Sequence, residues 1–384
     1  MKNSHNKLIK SLFPTPTQRF DRMFLIIVFA LSVYGTIMVF SSGYAYASFR
    51  YNDPYYFIKR QTAWLIIGIA VMFICSRINL DLVFKITPFA YLLTLVLLVL
   101  TLMIGFVGNG AQRWISLGPV TIQPSEIAKL TMTMMLARYF ALNENKSDNV
   151  SHKSIFIKGT VVPCIIMAIP IFLVMLQHHL SCIIILGAIG LLVIVLSGVN
   201  LKYIGAFTGI GVLGVSYIAL FTDYTKDRIT VWRDPESYKL TGGWQTLQGL
   251  MAIGSGGIFG KGLGRGELKY CYVSEPANDM IFAILCEELG FIGALSAMVL
   301  FGSLIFRGFA IAFNTRDTYS SLLALGITVK IAIQTLLNIA VVTNTIPNTG
   351  ISLPFFSYGG SSLVMIFLEM GIMLAISRKS LIQK

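Results

Sequence analysis

The hydrophobic positions of this chain fall in long unbroken runs, without the period-two alternation of a half-buried strand or the single stripe of a soluble helix. Runs of roughly 17 to 25 apolar residues are long enough to cross about 30 Å of hydrocarbon as a helix. Such runs occupy residues 23–42, 62–78, 84–106, 126–142, 159–176, 181–198, 203–221, 278–306, 321–342 and 361–377. The pattern predicts an all-α polytopic membrane protein with about ten transmembrane helices. The fourth run is the weakest, because Glu126, Lys129 and Arg138 interrupt it. Most connections are short, but residues 222–277 form a long polar interval between the seventh and eighth helices, and loops of that length are usually functional or disordered. Trp232, Trp244, Leu247, Leu250, Met251, Ile253 and Phe259 make this one too apolar for a tether, so it is expected to pack as interfacial segments over the bundle.

Composition sharpens this picture. Hydrophobic residues make up 55% of the chain and charged residues 12%, which excludes an ordinary soluble domain. Lys and Arg number 30 against 17 Asp and Glu, a net charge of +13. In a soluble protein that balance would suggest nucleic-acid binding; here its distribution points to membrane orientation. With the N-terminus inside, the cytoplasmic segments hold seventeen basic residues, Arg19, Arg22, Arg138, Lys202, Arg307 and Arg378 among them. The short outside loops hold only four, Arg50, Lys59, Arg60 and Arg113. This asymmetry places both termini in the cytoplasm and the long loop outside.

Residues 1–22 then form a basic cytoplasmic tail with no cleavable signal peptide, 23–377 a single transmembrane domain, and 378–384 a second tail. Of the five cysteines only Cys271 falls in an outside loop, so no structural disulfide is expected.

Ionisable residues within a span are costly, roughly 2.5–3.5 kcal/mol each on insertion scales, and normally face a cavity or a partner. Glu126 and Lys129, three apart, share one face of the first turn of the fourth helix, after Pro124 and Ser125, and Arg113 precedes them in an outside loop. They suit either a stabilising pair at a helix end or an anionic headgroup and a cation-assisted reaction. Lys330, Gln334 and Asn338 form a polar stripe at i, i+4 and i+8, and Lys330 is expected to pair structurally with Glu369 on the tenth helix.

The stretch SEPANDMIFAILCEELGFIG, residues 274–293, carries three acids. Pro276 suits a first helical turn and places Asp279 near the outer helix end. Glu287 is then about 80° round from Asp279 and roughly 12 Å deeper, with Glu288 nearly opposite. Glu287 and Glu288 are therefore expected to tie helices together. Asp279 is reachable from the outer boundary, where it serves either the helix dipole or general-base chemistry. The glycines of GSGGIFGKGLGRG do not make a phosphate loop, because Ser255 and Gly262 stand where Walker A needs Gly and Ser or Thr. They read as a flexible turn close to a substrate or partner.

Taken together, NTIPNTGISLPFFSYGGSSL (344–363), QRWISLGPVTIQPSEIAKL (112–130) and EPANDMIFAILCEELGFIG (275–293) resemble the SEDS proteins of bacterial wall synthesis, and YNDPYYFIKRQTAW (51–64) is closer to the FtsW and SpoVE branch than to RodA. The similarity runs from about residue 22 to 378. It implies a peptidoglycan glycosyltransferase of the bacterial cytoplasmic membrane that polymerises lipid II on the outer face during division or sporulation. By the same resemblance Asp279 is the base on the acceptor GlcNAc 4-hydroxyl, with inversion at the donor and undecaprenyl pyrophosphate leaving. Arg60, Arg113, Glu126, Lys129, Ser357 and Ser361 contact substrate. A divalent cation, Mg2+ or Mn2+, is a candidate cofactor and a nucleotide is not.

Partners implied by the resemblance are a class B penicillin-binding protein and other division or sporulation membrane proteins. Many relatives read QPDLGT where this chain reads QHHLSC, so His178 and His179 replace a proline and an acid; adjacent histidines on a short loop are expected to be solvated rather than to bind metal. The loop GKGLGRGELKY departs from commoner polar versions. A lipid II flippase and a non-catalytic scaffold for the transpeptidase are the rival readings.

Overall fold

The computed structural model describes residues 20–108, 111–118, 120–144, 157–199, 205, 209, 223–270, 272–273 and 275–380. Among them the chain forms eleven α-helices and one small sheet. The first three helices are α1 (Arg22–Tyr51), α2 (Tyr56–Cys75) and α3 (Leu80–Ile104). Strands β1 (Phe106–Gly108), β2 (Ala111–Leu117) and β3 (Val120–Ile122) follow, and then α4 (Pro124–Asn143). A π-helical turn, Ile157–Val161, leads into α5 (Val162–Leu176), and α6 is Leu180–Leu196. The remaining helices are α7 (Asp223–Arg233), α8 (Gly243–Gly256), α9 (Ile281–Phe313), α10 (Thr318–Val342) and α11 (Gly360–Ser377).

Seven of the described helical segments are long and apolar enough to cross a membrane, α1, α2, α3, Ile157–Leu176, α9, α10 and α11, while α6 is apolar but shorter. Apart from Gly205 and Gly209, the run at 203–221 lies outside the described residues, as does Cys271. The four described cysteines, Cys75, Cys164, Cys182 and Cys286, are free thiols.

The helices are inverted relative to those of a soluble protein. Along α3, Phe89, Leu92, Val96 and Met103 are exposed, whereas Thr87, Thr94 and Thr101 are buried at seven-residue spacing. Each threonine hydroxyl donates to the carbonyl four residues back. Thr87 also meets the Tyr319 hydroxyl and Thr94 accepts from Thr131, which ties α3 to α10 and α4. Hydrocarbon gives an apolar surface no reason to be buried, so packing and interhelical polar contacts hold such a bundle together. The same logic explains the weak fourth run. Most of α4 is buried between α3, α6 and α10, so its polar residues face protein rather than lipid.

The structure adds two elements and corrects the reading of the glycine segment. The long loop includes two helices, α7 and α8, and α8 packs along α9. The three-stranded antiparallel sheet was not anticipated; β2 pairs with β1 through Phe106 and Trp114 and with β3 through Ile115 and Ile122. The glycine segment after α8 is no free turn.

That glycine segment docks into a break in α9 at Gly290, which has φ 64 and ψ −162. Lys261 and Gly262 donate their N–H groups to the carbonyls of Glu287 and Glu288, while Phe291 and Ile292 donate theirs to Gly257 and Ile258. The loop thereby satisfies backbone groups that the break releases from the helix. Glu287 accordingly holds this loop rather than joining transmembrane helices, whereas Glu288 both holds the loop and ties α9 to α1, as expected. Glu287 binds Lys261 at 3.0 Å and the N–H groups of Glu267 and Leu268. Glu288 binds buried Lys269 at 2.6 Å and the Ser41 hydroxyl of α1. A Cβ at Gly290 would overlap the Gly260 backbone, and its φ and ψ are accessible essentially to glycine alone. Gly290→Ala is therefore expected to destabilise the protein by about 1–3 kcal/mol, measured as a loss of Tm in detergent.

Candidate functional site

The break that expels Asp279 from its helix is made by tertiary hydrogen bonds. Its neighbours' carbonyls are taken from outside: Tyr358 N–H donates to Ala277, the Ser357 hydroxyl to Asn278 and the Asn338 side-chain amide to Asp279 itself. Residues 276–280 therefore form turns, and α9 begins at Ile281 with Met280 as an N-cap whose side chain makes no capping bond. Asp279 lies outside the helix, not in its first turn as expected, so helix-dipole stabilisation is no longer a sufficient account of it.

The carboxylate is half-buried on the wall of a cavity of about 640 Å³. It lies close to the 348–352 loop, where a Cβ on Gly350, at φ 68, would come within 3.3 Å of Asp279 Oδ2. Burial raises its pKa from 3.8 to about 6 and the Glu275 charge adds to this, against the pull of Arg228 and Arg113.

Four basic side chains, Arg60, Arg113, Lys129 and Arg228, and three acidic ones, Glu126, Glu275 and Asp279, line the cavity. β2 and β3 supply one wall, including Arg113, Trp114 and Thr121. Arg113 donates to the His178 carbonyl and so joins the sheet to the turn between α5 and α6. Arg60 projects from α2 with its guanidinium 4.4 Å from the Tyr56 ring centroid, a cation–π geometry that orients it. Helix α7 brings Arg228 to the carbonyl of Asn348, and one turn later Trp232 donates to Asn344, so the α7 face and the 344–350 loop form one wall.

Glu126 and Lys129 at the cavity wall begin a chain of charge that continues into the bundle. Glu126 Oε1 is 2.6 Å from Lys129 Nζ, and Glu126 Oε2 is 3.7 Å from Lys330 Nζ. Lys330 in turn lies 2.7 Å from Glu369 Oε1, the pairing expected from the sequence. The four residues form one alternating chain of charge through α4, α10 and α11, all buried. Gln334, next on the α10 stripe, accepts from Lys129 and donates to Ser352. Asn338, at the end of that stripe, holds Asp279 and Ile351 through their carbonyls.

Of the site residues anticipated from sequence, Arg60, Arg113, Glu126, Lys129 and Asp279 converge on this cavity. Lys330, Glu369, Glu287 and Glu288 stand outside its lining. Ser357 is displaced from a substrate role because its hydroxyl accepts from Leu353 N–H while donating to Asn278. Ser361 does not line the cavity, whereas the adjacent Ser362 does.

Sequence reading missed Arg228, Glu275, Asn278, Gln245 and Asn348, which reach the site from the long loop and the turn after α10. It also misplaced His179, which is buried in the cavity wall, while His178 is exposed. The spacing of TGISLPFFSYGGSS offered no means of choosing among its serines. Trp232 and Arg228 at i and i+4 did offer a signal for one face of a helix.

The FtsW/RodA/SpoVE family of cell cycle proteins matches residues 21–381. Stage V sporulation protein E of Bacillus subtilis (strain 168) is 37% identical over 362 residues, which cover 94% of this chain and 97% of that protein. The probable peptidoglycan glycosyltransferase FtsW of Geobacter metallireducens is 32% identical over 364 residues, covering 94% and 96%. Among solved structures, a chain of a peptidoglycan synthase complex that coordinates polymerization and crosslinking superposes with TM-score 0.77 at 24% identity, covering 94% of this chain and 98% of its own. The rod shape determining protein RodA of Thermus thermophilus superposes with TM-score 0.70 at 23% identity, with the same coverage. These two structural likenesses establish a shared fold.

Proposed function

The chain belongs to the FtsW/RodA/SpoVE family of cell cycle proteins, and on that premise we propose that it is a peptidoglycan glycosyltransferase that polymerises lipid II at the outer face of the cytoplasmic membrane. The observation that carries this reading is the cavity itself. A carboxylate poised near neutral pH stands there beside a set of cations suited to a diphosphate.

In the proposed reaction the acceptor GlcNAc 4-hydroxyl attacks the anomeric carbon of the donor. Its proton passes to the Asp279 carboxylate. The bond between the anomeric carbon and the diphosphate oxygen breaks, and its electron pair leaves with undecaprenyl pyrophosphate, so the donor centre inverts. A sugar hydroxyl is a weak nucleophile and gains most from a positioned base, whereas a diphosphate leaving group needs positive charge more than a proton. Arg113, Arg228 and Lys129 supply that charge. Glu126 orients Lys129, and Asn338 with Ser357 fixes the backbone that carries Asp279.

No group of three or more His, Cys, Asp or Glu residues among those described is arranged to hold a metal ion. The donor set fits only a hard cation of the Mg2+ type, held by one or two carboxylates together with phosphate oxygens. Glu275 is the residue that would hold it, leaving Asp279 free for the proton, and it would neutralise diphosphate charge. A class B penicillin-binding protein is the proposed partner, by analogy with the synthase complex.

The test is direct: purified protein given lipid II should make glycan strands resolvable on a gel, alone or with its transpeptidase. No product with partner and Mg2+ or Mn2+ present would overturn the reading in favour of a flippase or scaffold. The carboxyl that titrates at about 6 must be ionised to accept a proton, so kcat/KM should rise through about pH 6 and level above it. A flat profile from about pH 5 to about pH 8 would remove Asp279 from proton transfer.

A further inference from the structure

The turn between α5 and α6 is fixed from three sides. Gln177 donates its side-chain amide to the Leu98 carbonyl at 3.0 Å, Arg113 donates to the His178 carbonyl, and the Ser181 hydroxyl donates to Thr349. His178 absorbs the reversal at φ 54 with its side chain exposed. The next residue, His179, is 7% exposed and lines the cavity. Its Nδ1 is buried and has no hydrogen-bond partner among the described residues. A buried polar atom left unpaired costs about 1–3 kcal/mol, so a rigid turn that holds one against a substrate cavity is arranged to meet something that enters it.

The surroundings identify what enters. Burial, with Arg113 and then Lys129 beside it, holds the imidazole pKa down at about 3, so the ring is neutral with one donor and one acceptor nitrogen. A third cation there would repel Arg113 and Lys129. A neutral donor set between two cations instead extends an anion site without adding charge.

We propose that His179 is a substrate-contact residue that donates a hydrogen bond to a diphosphate oxygen held between Arg113 and Lys129. This assignment rests on the glycosyltransferase reading for its physiological ligand, a lipid-linked sugar diphosphate, but not for the site itself. Binding is therefore probed with inorganic pyrophosphate, by calorimetry on the purified full chain in a detergent free of lipid phosphate, and repeated after adding phosphatidylglycerol.

His179→Ala should weaken pyrophosphate binding and raise KM for lipid II by about 10- to 150-fold, the range of one hydrogen bond to a charged group, with kcat within about twofold. His179→Asn, whose amide can replace the Nδ1 group, should recover part of the loss. Wild-type pyrophosphate affinity in His179→Ala would overturn the proposal, as would a loss of Tm that accounts for the whole effect with KM unchanged. Competition by phosphatidylglycerol in place of pyrophosphate binding would mark a headgroup site and overturn it too. If the wild type makes no glycan yet pyrophosphate binding still depends on His179, the glycosyltransferase reading falls and the anion site stands.

Discussion

Asp279→Asn is expected to slow lipid II polymerisation by about 10²–10⁴-fold, the contribution of a positioned general base, without unfolding the protein. The substitution keeps the shape and the backbone contact to Asn338 while removing the proton acceptor. Its effect on stability should run the other way. The folded-state pKa is raised from 3.8 to about 6, so the native protein holds this proton more tightly than the unfolded chain does. Ionisation therefore costs folding free energy, a cost that grows as the pH rises above the unfolded value and is complete above about 6. At about pH 7.5 the Asn variant should match or exceed the wild-type Tm while its initial rate collapses. Equal rates for the two proteins would exclude Asp279 from the chemistry, and a large fall in Tm would make any rate loss uninformative.

The second large effect concerns the buried charge chain, and its asymmetry is the sharper part of the prediction. Removing one partner of a buried pair leaves an uncompensated charge and typically costs about 3–5 kcal/mol. Lys330→Met strands Glu369, its partner at 2.7 Å, and also takes from Glu126 the second of its two cations, at 3.7 Å, leaving it Lys129 alone. Glu369→Gln strands less, because Lys330 keeps Glu126, and because Glu369 Oε2 makes no hydrogen bond among the described residues. Lys330→Met should therefore cost more than Glu369→Gln. The double variant Lys330→Met with Glu369→Met should recover much of the loss. Denaturant unfolding of the four proteins checks this, and a coupling within about 0.5 kcal/mol of zero would show that the pair does not act as a unit. Since Glu126 also touches cavity-lining Lys129, Lys330→Met should further reduce the polymerisation rate, which Glu369→Gln should do to a smaller degree.

The legibility of this protein divides along physical lines. Periodicity and charge suffice for the spans because hydrocarbon imposes a length and a hydropathy on any helix that crosses it, whatever its neighbours. They suffice for Lys330 and Glu369 because a charge inside a span needs a partner and few are available at that depth. They mislead at Asp279. Local sequence favours helix after Pro276, but the acceptors of that turn are captured by Tyr358, Ser357 and Asn338, residues 59 to 81 positions away. The β-hairpin of residues 106–122 had a local signal in Gly118 between Leu117 and Val120, but it sits beside a strong membrane run that dominates any window average.

What the sequence determined by itself is the solvent of this chain and part of the inventory of its chemistry: a polytopic helical bundle, Glu126 and Lys129 as residues too costly to place in a membrane without purpose, and Asp279 at its outer boundary, with Arg60 and Arg113 added by the family resemblance. What only the tertiary structure decided is which of the polar residues meet. Arg228 arrives from α7, Glu275 from the segment before α9, Asn348 from the turn after α10 and His179 from a turn the sequence marked as solvated. The reason is that burial in a membrane is a property each segment carries alone, whereas a cavity is a property of the distances between segments, and those are set by long-range hydrogen bonds and ion pairs that no local pattern encodes.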